Sequence, residues 1–404
     1  MTLHDTQRTT APRAGDRAPG APRFRSLDGL RGVAAAVVVL HHLTLIAEPV
    51  LRGVPGAMDP WSAWWLMEHS PLKLLTAGRE AVVVFFVLSG LVVPLPALRN
   101  GSFSWPGFAA SRFVRLFLPA WGALVLAAAL VLAVPRVATQ VSGGEWIAEK
   151  TATTMHWKRF VAELTLNTGG SHYDNVLWTL RWEIAFSFLL PLLIVLVAVL
   201  ARWWLPAAAL AVGVTTFGII WNISALAYLP MFFLGMLIGT RIDAIRGWSD
   251  RVPARLSRPV WALVLVASAL VLVCSWLLEP LVPSSTVAGK ALIGLETAGA
   301  AGLVVAAIGS DRWRRFLEWP TVQFLGRISF SLYLVHVPVL VALTYLVGDW
   351  NWWLLPPLGL PLVLGTAWLF FRFVEKPTHG LARAASKGAA RAVAAYTERR
   401  LRSA

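Results

Sequence analysis

The residues best suited to chemistry lie in the first apolar stretch, RSLDGLRGVAAAVVVLHHLTL, residues 25–45. Because a helix rises about 1.5 Å and turns about 100° per residue, Asp28, Arg31 and His42 fall within roughly 60° on one stripe, with His42 about 16 Å beyond Arg31. His41 points about 100° away from His42. An ionisable side chain inside an apolar span is a functional candidate, because hydrocarbon demands a partner or a water-filled cavity for it. The alternative interpretation is that the histidines mark the outer interface.

A carboxylate at a similar depth lies in the stretch LWTLRWEIAFSFLLP. Glu183 lies about 9 Å beyond Trp178, in the outer part of a membrane, and His42 lies about 21 Å above the inner boundary. The two therefore share a depth in a bilayer core of about 30 Å. A buried carboxylate beside an imidazole sets its tautomer and raises its basicity, which a general base needs. The alternative is an ion pair between Glu183 and Arg181 or another cation.

Basic and small polar residues mark two other apolar stretches. In SRFVRLFLP, Arg112 and Arg115 lie about one helical turn apart at the inner face. Such arginines contact lipid headgroups, but they also suit a phosphorylated ligand, because a guanidinium binds two phosphate oxygens at once. Ser89 in AVVVFFVLSGLVV lies near mid-membrane, either at a close helix contact or bonded to a carbonyl one turn back.

The stretch FLGRISFSLYLVHVP carries a further group. Arg327 is at the inner edge, whereas Tyr333 and His336 lie about mid-span, three residues apart on one helix face. No GxSxG motif, nucleotide-binding glycine loop or metal-ligand cluster appears in the sequence. The residues favour a membrane enzyme that draws a phosphorylated donor from the cytoplasm and performs base chemistry higher in the bilayer. A proton-coupled exporter would use similar residues and is the alternative.

The composition requires membrane helices to position these residues. Of 404 residues, 57 % are hydrophobic, 21 are tryptophans and only 14 % are charged, against about a quarter in soluble domains. The net charge of +15 collects in short loops and at both ends, as expected for loops that face anionic lipid. The sequence contains no soluble basic domain, so its positive net charge does not indicate nucleic-acid binding. The single cysteine, Cys274, excludes an intrachain disulfide framework.

We therefore predict an all-α integral membrane protein with about ten transmembrane helices. The arginine-rich loops predict that both termini are cytoplasmic. Residues 1–23 are predicted to be a disordered cytoplasmic arm, residues 24–380 the transmembrane domain, and residues 381–404 a basic cytoplasmic tail. The predicted spans have these approximate bounds: 28–46, 79–98, 114–134, 177–200, 203–221, 224–240, 260–279, 288–308, 324–347 and 353–374.

The segment from Pro135 to Asn175 is too long for a hairpin. Its stretch EWIAEKTATTMHWKRFVAEL resembles a helix lying on the outer interface, with Trp146, Ile147 and Trp157 as anchors. The alternative interpretation is a lid over a site.

Seven sequence pieces follow one another along the chain: LDGLRGVAAAVVVLHH, VVVFFVLSG, RFVRLFLP, LWTLRWEIAF, LPMFFLGMLIG, LGRISFSLYLVHVP and FRFVEKP. In this order they resemble acyltransferase family 3, the integral-membrane O-acyltransferases that modify bacterial surface polysaccharides, peptidoglycan and some antibiotics. The resemblance covers nearly the whole chain from Leu27 to Pro377. The family's arginine, followed eleven residues later by a histidine, falls on Arg31 and His42. Ser187 departs from the tyrosine that many members carry.

The resemblance implies a membrane-bound O-acyltransferase in the inner membrane of a bacterial cell. It would move an acyl group, most often acetyl, from cytoplasmic acyl-coenzyme A to a hydroxyl of a carbohydrate-like acceptor, either a glycan or a glycosylated small molecule. Acyl-CoA would be a co-substrate, no metal would take part, and membrane lipid would be the remaining partner. Direct transfer and an acyl-histidine intermediate both stay open.

The resemblance also implies roles for the candidate residues. His42 would act as general base, and Glu183 would orient it. The charged phosphates of the coenzyme would dock on inner-face arginines: Arg31, Arg112, Arg115 and Arg327. The remaining candidates for the site are polar residues of the same spans: Asp28, Ser89, Tyr333 and His336.

Overall fold

The computed structural model describes residues 24–99, 103–137, 141, 146–147, 151–167 and 172–403. The predicted disordered arm, residues 1–23, lies outside this part of the chain. The described residues are mostly helical and include no β-strand, which confirms the all-α class. The helices are α1 (Arg25–Arg52), α2 (Ala63–His69), α3 (Gly78–Val92), α4 (Leu95–Arg99), α5 (Trp105–Ala133), α6 (Trp157–Glu163), α7 (Trp178–Leu200), α8 (Trp204–Ile220), α9 (Ser224–Gly239), α10 (Ile242–Arg251), α11 (Ala254–Leu272), α12 (Cys274–Leu278), α13 (Val287–Gly309), α14 (Asp311–Leu317), α15 (Pro320–Val347), α16 (Leu355–Phe370) and α17 (Lys376–Ser403).

Eight stretches of the described chain are long and apolar enough to cross a membrane, or nine if α9 and α10, which meet at 49°, form one span. Two of the eight exceed one crossing, with 46 residues from Asn175 to Ile220 and 53 residues from Asn351 to Ser403, since one crossing needs only about 20 residues. The first contains α7 and α8, which a 3₁₀ turn at Ala201–Trp203 joins. Each of the ten predicted spans overlaps one or more helices. The number ten and the cytoplasmic termini stay predictions.

Local sequence signals explain where the site-bearing helices begin. The Ser104 hydroxyl accepts the Gly107 N–H and caps α5, and a proline occupies the first turn of that helix, where a missing N–H costs nothing. In α1, Asp28 lies in the first turn and Arg52 in the last, so both charges complement the helix dipole. Helix formation itself follows from the long apolar runs, whose backbone groups have no other partner in a membrane.

Glycines set the close packing of the two helices that carry the histidines. A Cβ on Gly32 of α1 would collide with the backbone of Gly326 of α15, and a Cβ on Gly326 would collide with the Asp28 carbonyl. Small residues allow helix backbones to approach in this way. The contact fixes the register between α1 and α15 over their length, and this register brings His42 opposite His336.

The described residues of the segment 135–175 pack against the helix bundle, and some of them lie near His42. Ile147 is 2 % exposed and Trp146 is partly buried, with its ring centroid 5.2 Å from that of His42, whereas Trp157 is 63 % exposed. Anchoring in the interface therefore fits Trp157 only, and Ile147 was wrongly predicted as an anchor because it packs into the protein core. The described part of the segment instead favours the lid interpretation, at the position of His42.

One helix crosses the predicted boundary between the transmembrane domain and the basic tail, and the division itself stays a prediction. The helix α17 passes the predicted boundary at residue 380 without a break. It packs along α5, where Gly107 lies against the Ser386 backbone. The preceding residues Phe371–Glu375 form a π-helical turn. Such turns re-aim side chains and often occur at functional sites.

Candidate active site

A cavity of about 570 Å³ lies among α1, α3, α5, α7 and α15. Its charged or titratable lining residues are Asp28, Arg31, Arg112, Arg115, Glu183, Tyr333, Glu375 and His379. Its walls also contain Ser89 and the apolar residues Val82, Phe85, Phe86 and Leu88 of α3. The structure thus gathers seven of the ten predicted site residues around one cavity. The other three, Arg327, His42 and His336, do not line it.

The carboxylate of Glu183 is held by α5 and α3. Arg112 Nη2 donates to Glu183 Oε2 at 2.9 Å, and Ser89 Oγ donates to Glu183 Oε1 at 2.8 Å. Arg112 Nε also donates to Ser187 Oγ at 3.1 Å. The ion pair with another cation, the alternative interpretation of Glu183, is therefore what the structure shows. Two residues at the same depth can point in different directions around their helices. Glu183 therefore shares a depth with His42 without contacting it, and the predicted contact that would orient His42 is not made.

The remaining cavity arginines differ in their partners. Arg31 Nη2 donates to Ser329 Oγ at 3.0 Å. Within the described part of the chain, Arg115 makes no hydrogen bond or ion pair and is exposed to the cavity. Arg31 and Arg112 both lie close enough to act on it electrostatically. Arg115 is therefore the cavity arginine most open to an incoming anion.

Arg327 lies apart from this group. Its side chain is exposed, and its guanidinium lies 6.0 Å from the ring centroid of Phe324 on its own helix. It does not line the cavity, because residues 326 and 329 of α15 face α1 and the cavity instead. The predicted contact of Arg327 with the donor stays a prediction.

Two buried histidines from α1 and α15 form a pair. His336 Nε2 lies 3.2 Å from His42 Nδ1. His42 Nδ1 also lies 2.9 Å from the Val38 carbonyl, and His336 Nδ1 lies 3.0 Å from the Leu332 carbonyl. The two side chains are 8 % and 0 % exposed. The neighbouring His41 bonds through Nδ1 to the Thr76 carbonyl instead.

These contacts fix the tautomers of the pair. A carbonyl only accepts, so each Nδ1 carries a proton. His336 Nε2 then has to be unprotonated, because it accepts from the His42 Nδ1–H. Both rings are consequently neutral, and the free lone pair of His42 is on Nε2. An imidazole that donates through one nitrogen and keeps a lone pair on the other is arranged as a general base.

Tyr333 separates the histidine pair from the cavity. Its side chain lines the cavity and its ring centroid lies 5.9 Å from that of His336. The hydroxyl bonds to the Val176 carbonyl at 3.1 Å and to Thr179 Oγ1 at 3.0 Å. Tyr333 thus forms the wall through which a molecule in the cavity would have to reach His42.

Glu375 lines the cavity, and sequence reasoning did not place it among the candidate site residues. The carboxylate is 5 % exposed, and its Oε2 accepts hydrogen bonds from the backbone N–H and the hydroxyl of Ser331. His379 Nε2 lies 3.6 Å from the other oxygen. The π-helical turn directs Glu375 inward. The sequence signal for such a turn is one extra residue that interrupts the helical period.

A second charge network, in which the carboxylates of Glu80 and Glu296 are buried, lies between α3, α12 and α13, and sequence reasoning missed it. Arg79 Nη2 donates to both oxygens of Glu296 at 2.9 and 3.0 Å, and Arg79 Nε donates to Glu80 Oε1 at 2.9 Å. The indole of Trp276 donates to Glu80 Oε1 at 2.9 Å. The sequence does carry a signal for this network, since Glu296 is an ionisable residue inside an apolar span. The network ties the start of α3, where Gly78 packs against His41, to the rest of the bundle.

A multi-pass helical bundle with an arginine-lined cavity below a buried, neutral imidazole pair defines a class of membrane protein equipped for acid–base chemistry on an anionic substrate. The chain belongs to the acyltransferase domain family, acyltransferase family 3, whose family model matches residues 24–372. The resemblance inferred from the seven sequence pieces is thereby confirmed, and the protein is an O-acyltransferase.

Two curated relatives cover most of the chain. O-acetyltransferase PaAT-1 of Phomopsis amygdali is 27 % identical over 387 residues, which cover 80 % of this chain and 73 % of the relative. Nodulation protein 10 of Rhizobium leguminosarum bv. viciae is 27 % identical over 347 residues, which cover 79 % of this chain and 85 % of the relative. No solved structure matches the chain significantly.

Proposed function

We propose that this O-acyltransferase moves an acetyl group from cytoplasmic acyl-CoA to a hydroxyl of a carbohydrate-like acceptor, in the cytoplasmic membrane of a bacterium. The observation that carries the proposal is the cavity with three arginines at its wall and the His42–His336 pair behind Tyr333. The similarity to an O-acetyltransferase supports acetyl as the transferred group. The arginine-rich loops support a cytoplasmic mouth for the cavity.

The arginines supply the donor contacts in this proposal. The phosphates of the coenzyme are too highly charged to enter hydrocarbon, so they need cationic partners. Arg115, which is open to the cavity, makes the first contact, and Arg31 is available at the cost of its bond to Ser329. Arg112 is already paired with Glu183 and contributes less. The apolar wall of α3 accommodates the less charged pantetheine arm as it runs toward Tyr333.

His42 performs the proton transfers. Its Nε2 accepts the proton of the acceptor hydroxyl while the hydroxyl oxygen attacks the thioester carbonyl. The tetrahedral intermediate collapses by breaking the C–S bond, and the departing thiolate takes the proton back from His42. The imidazolium that forms in between is stabilised by His336, whose Nε2 accepts from His42 Nδ1–H. The orienting role expected of Glu183 thus passes to His336 and the Val38 carbonyl.

The proposal is tested with purified protein in phosphatidylcholine vesicles. The protein is given acetyl-CoA with an isotope-labelled acetyl group and a panel of 4-nitrophenyl glycosides, and products are identified by mass spectrometry. We expect release of coenzyme A together with labelled, acetylated glycoside. Glycoside flux across the vesicles that depends on a pH gradient, without any release of coenzyme A, would contradict the proposal and support a proton-coupled exporter.

A further inference from the structure

A second cavity, of about 230 Å³, lies where α11 begins and α13 ends, against the short helix α14. None of its lining residues lines the cavity of the candidate active site. It lies at the same end of the bundle as the start of α1, since Gly29 packs against the Leu317 carbonyl of α14. Its polar lining comes from these residues: Ser249, Ser257, Arg258, Ser310, Asp311, Arg312, Trp313 and Arg315.

The charge of this cavity is positive. Arg258 and Arg312 are exposed and make no hydrogen bond or ion pair with any residue that the structure describes. Arg315 uses only its Nε, on the Asp311 carbonyl at 3.3 Å. The one carboxylate of the lining, Asp311, is 3.0 Å from Arg314 Nη2. Three guanidinium groups thus surround a space whose single negative charge already has a partner.

The cavity opens onto apolar surface. Ala262 and Leu265 of α11 line it, and Val266, one helical turn beyond Ala262, is 56 % exposed. The cavity lies at the end of α13, a helix apolar enough to span a membrane. A ligand that fits this arrangement has a phosphate at the boundary and a hydrocarbon chain beside it. Basic pockets between helices at this level suit the headgroups of anionic phospholipids.

We propose that this cavity binds the phosphate headgroup of an anionic phospholipid, with an acyl chain along Ala262 and Val266. The two arginines without partners, Arg258 and Arg312, contact the phosphate oxygens. The site is independent of the acyl-CoA cavity, so the lipid acts as a structural ligand at the junction of α11, α13 and α14.

The test compares two double variants in nanodiscs of phosphatidylcholine with added phosphatidylglycerol. R258Q/R312Q removes the two free guanidinium groups of the cavity. R251Q/R255Q is the matched control, because it removes two exposed charges from the same end of the bundle without touching the cavity. Native mass spectrometry measures the fraction of protein that retains phosphatidylglycerol after release from the nanodisc, and thermal unfolding in pure phosphatidylcholine shows that both variants are folded.

We expect R258Q/R312Q to lower the affinity for phosphatidylglycerol about thirtyfold, from about 1 kcal/mol for each of the two basic residues. R251Q/R255Q should leave the affinity within about twofold. Equal losses in both variants would show general surface attraction and overturn the site. Retained binding in R258Q/R312Q would overturn it as well. Glycerol 3-phosphate and inorganic phosphate are added as competitors, and displacement of the lipid at equal concentration would reassign the cavity to a soluble phosphate compound.

Discussion

The replacement of His336 by leucine tests the histidine pair with little damage to the fold. His336 Nδ1 bonds to Leu332, whose carbonyl also accepts within the helix, and His42 Nδ1 keeps the Val38 carbonyl at 2.9 Å. Leucine has a similar volume and suits a position that is 0 % exposed. The substitution therefore removes one acceptor for the His42 Nδ1–H and leaves no buried group without a partner.

The magnitude follows from the charge that His42 acquires during the reaction. The 3.2 Å contact to His336 Nε2 becomes a charge-assisted hydrogen bond when His42 takes up a proton, and such bonds contribute about 1.5–3 kcal/mol. At about 1.36 kcal/mol for each factor of ten, His336→Leu should lower kcat by about 10- to 150-fold. The KM for acyl-CoA should not change, since His336 does not line the donor cavity. His336→Gln, whose amide oxygen reaches nearly the same place as Nε2, should recover activity to within about tenfold of the wild type.

The assay measures coenzyme A release with a thiol reagent and the acetylated glycoside by mass spectrometry, over a range of acetyl-CoA concentrations. A stable His336→Leu protein with unchanged kcat would refute the positioning role. The same conclusion would follow if glutamine and leucine gave equal defects, because only glutamine supplies an acceptor.

Three further predictions follow from the cavity and the outer segment. Arg115→Gln should weaken acetyl-CoA binding, measured by equilibrium dialysis, about 10- to 100-fold through the loss of a charge-assisted contact. Arg112→Gln should have a smaller effect because Glu183 already neutralises that residue. Equal effects of the two substitutions on acetyl-CoA binding would contradict this ranking. Glu183→Gln should change the KM for acetyl-CoA but keep kcat within about tenfold of the wild type, since Glu183 does not contact His42. A large loss of kcat with an unchanged KM would restore the predicted role of Glu183 in orienting His42. Burial raises the pKa of Asp174 well above its usual value. The contribution of this carboxyl group to the free energy of unfolding is therefore fully present below its pKa in the unfolded chain, about 3.9. That contribution is lost as pH rises through the higher pKa of the folded protein. Asp174→Asn should remove that part of the pH dependence of thermal unfolding, and an unchanged profile would contradict it.

The sequence predicts the helical class because the signal is local. A run of about 20 apolar residues has to form a helix in a membrane, and each such run overlaps a helix of the structure. Glu183 shows the limit of this reasoning. Rise per residue gives its depth, but its direction depends on which helix packs against α7. Here α5 presents Arg112 to it, and no spacing within either segment specifies that contact.

The candidate site, like the fold, was predicted from the sequence only in part. Arg31 and the arginines of α5 were predicted from spacing, and they meet at one cavity. The contact between His42 and His336 was not predicted, since it joins residues 294 positions apart and depends on how Gly32 and Gly326 set the helix register. Glu375 was missed because the π-helical turn adds a residue to the helical period, and this shift is not visible in a pattern based on 3.6 residues per turn.

The central claim, that His42 is the general base of acyl transfer, is tested most directly by a paired measurement on His42→Ala and His41→Ala. Both proteins are assayed for acetyl-CoA binding and for acetylated glycoside in the same vesicles. The loss of a general base costs about 10²–10⁴ in rate, so His42→Ala should lose product formation by at least about a hundredfold while it still binds acetyl-CoA. His41→Ala should stay within about tenfold of the wild type, because the His41 ring nitrogen bonds to the Thr76 carbonyl and not to the pair. Equal activities of the two variants, or continued product formation by a folded His42→Ala protein, would contradict the assignment.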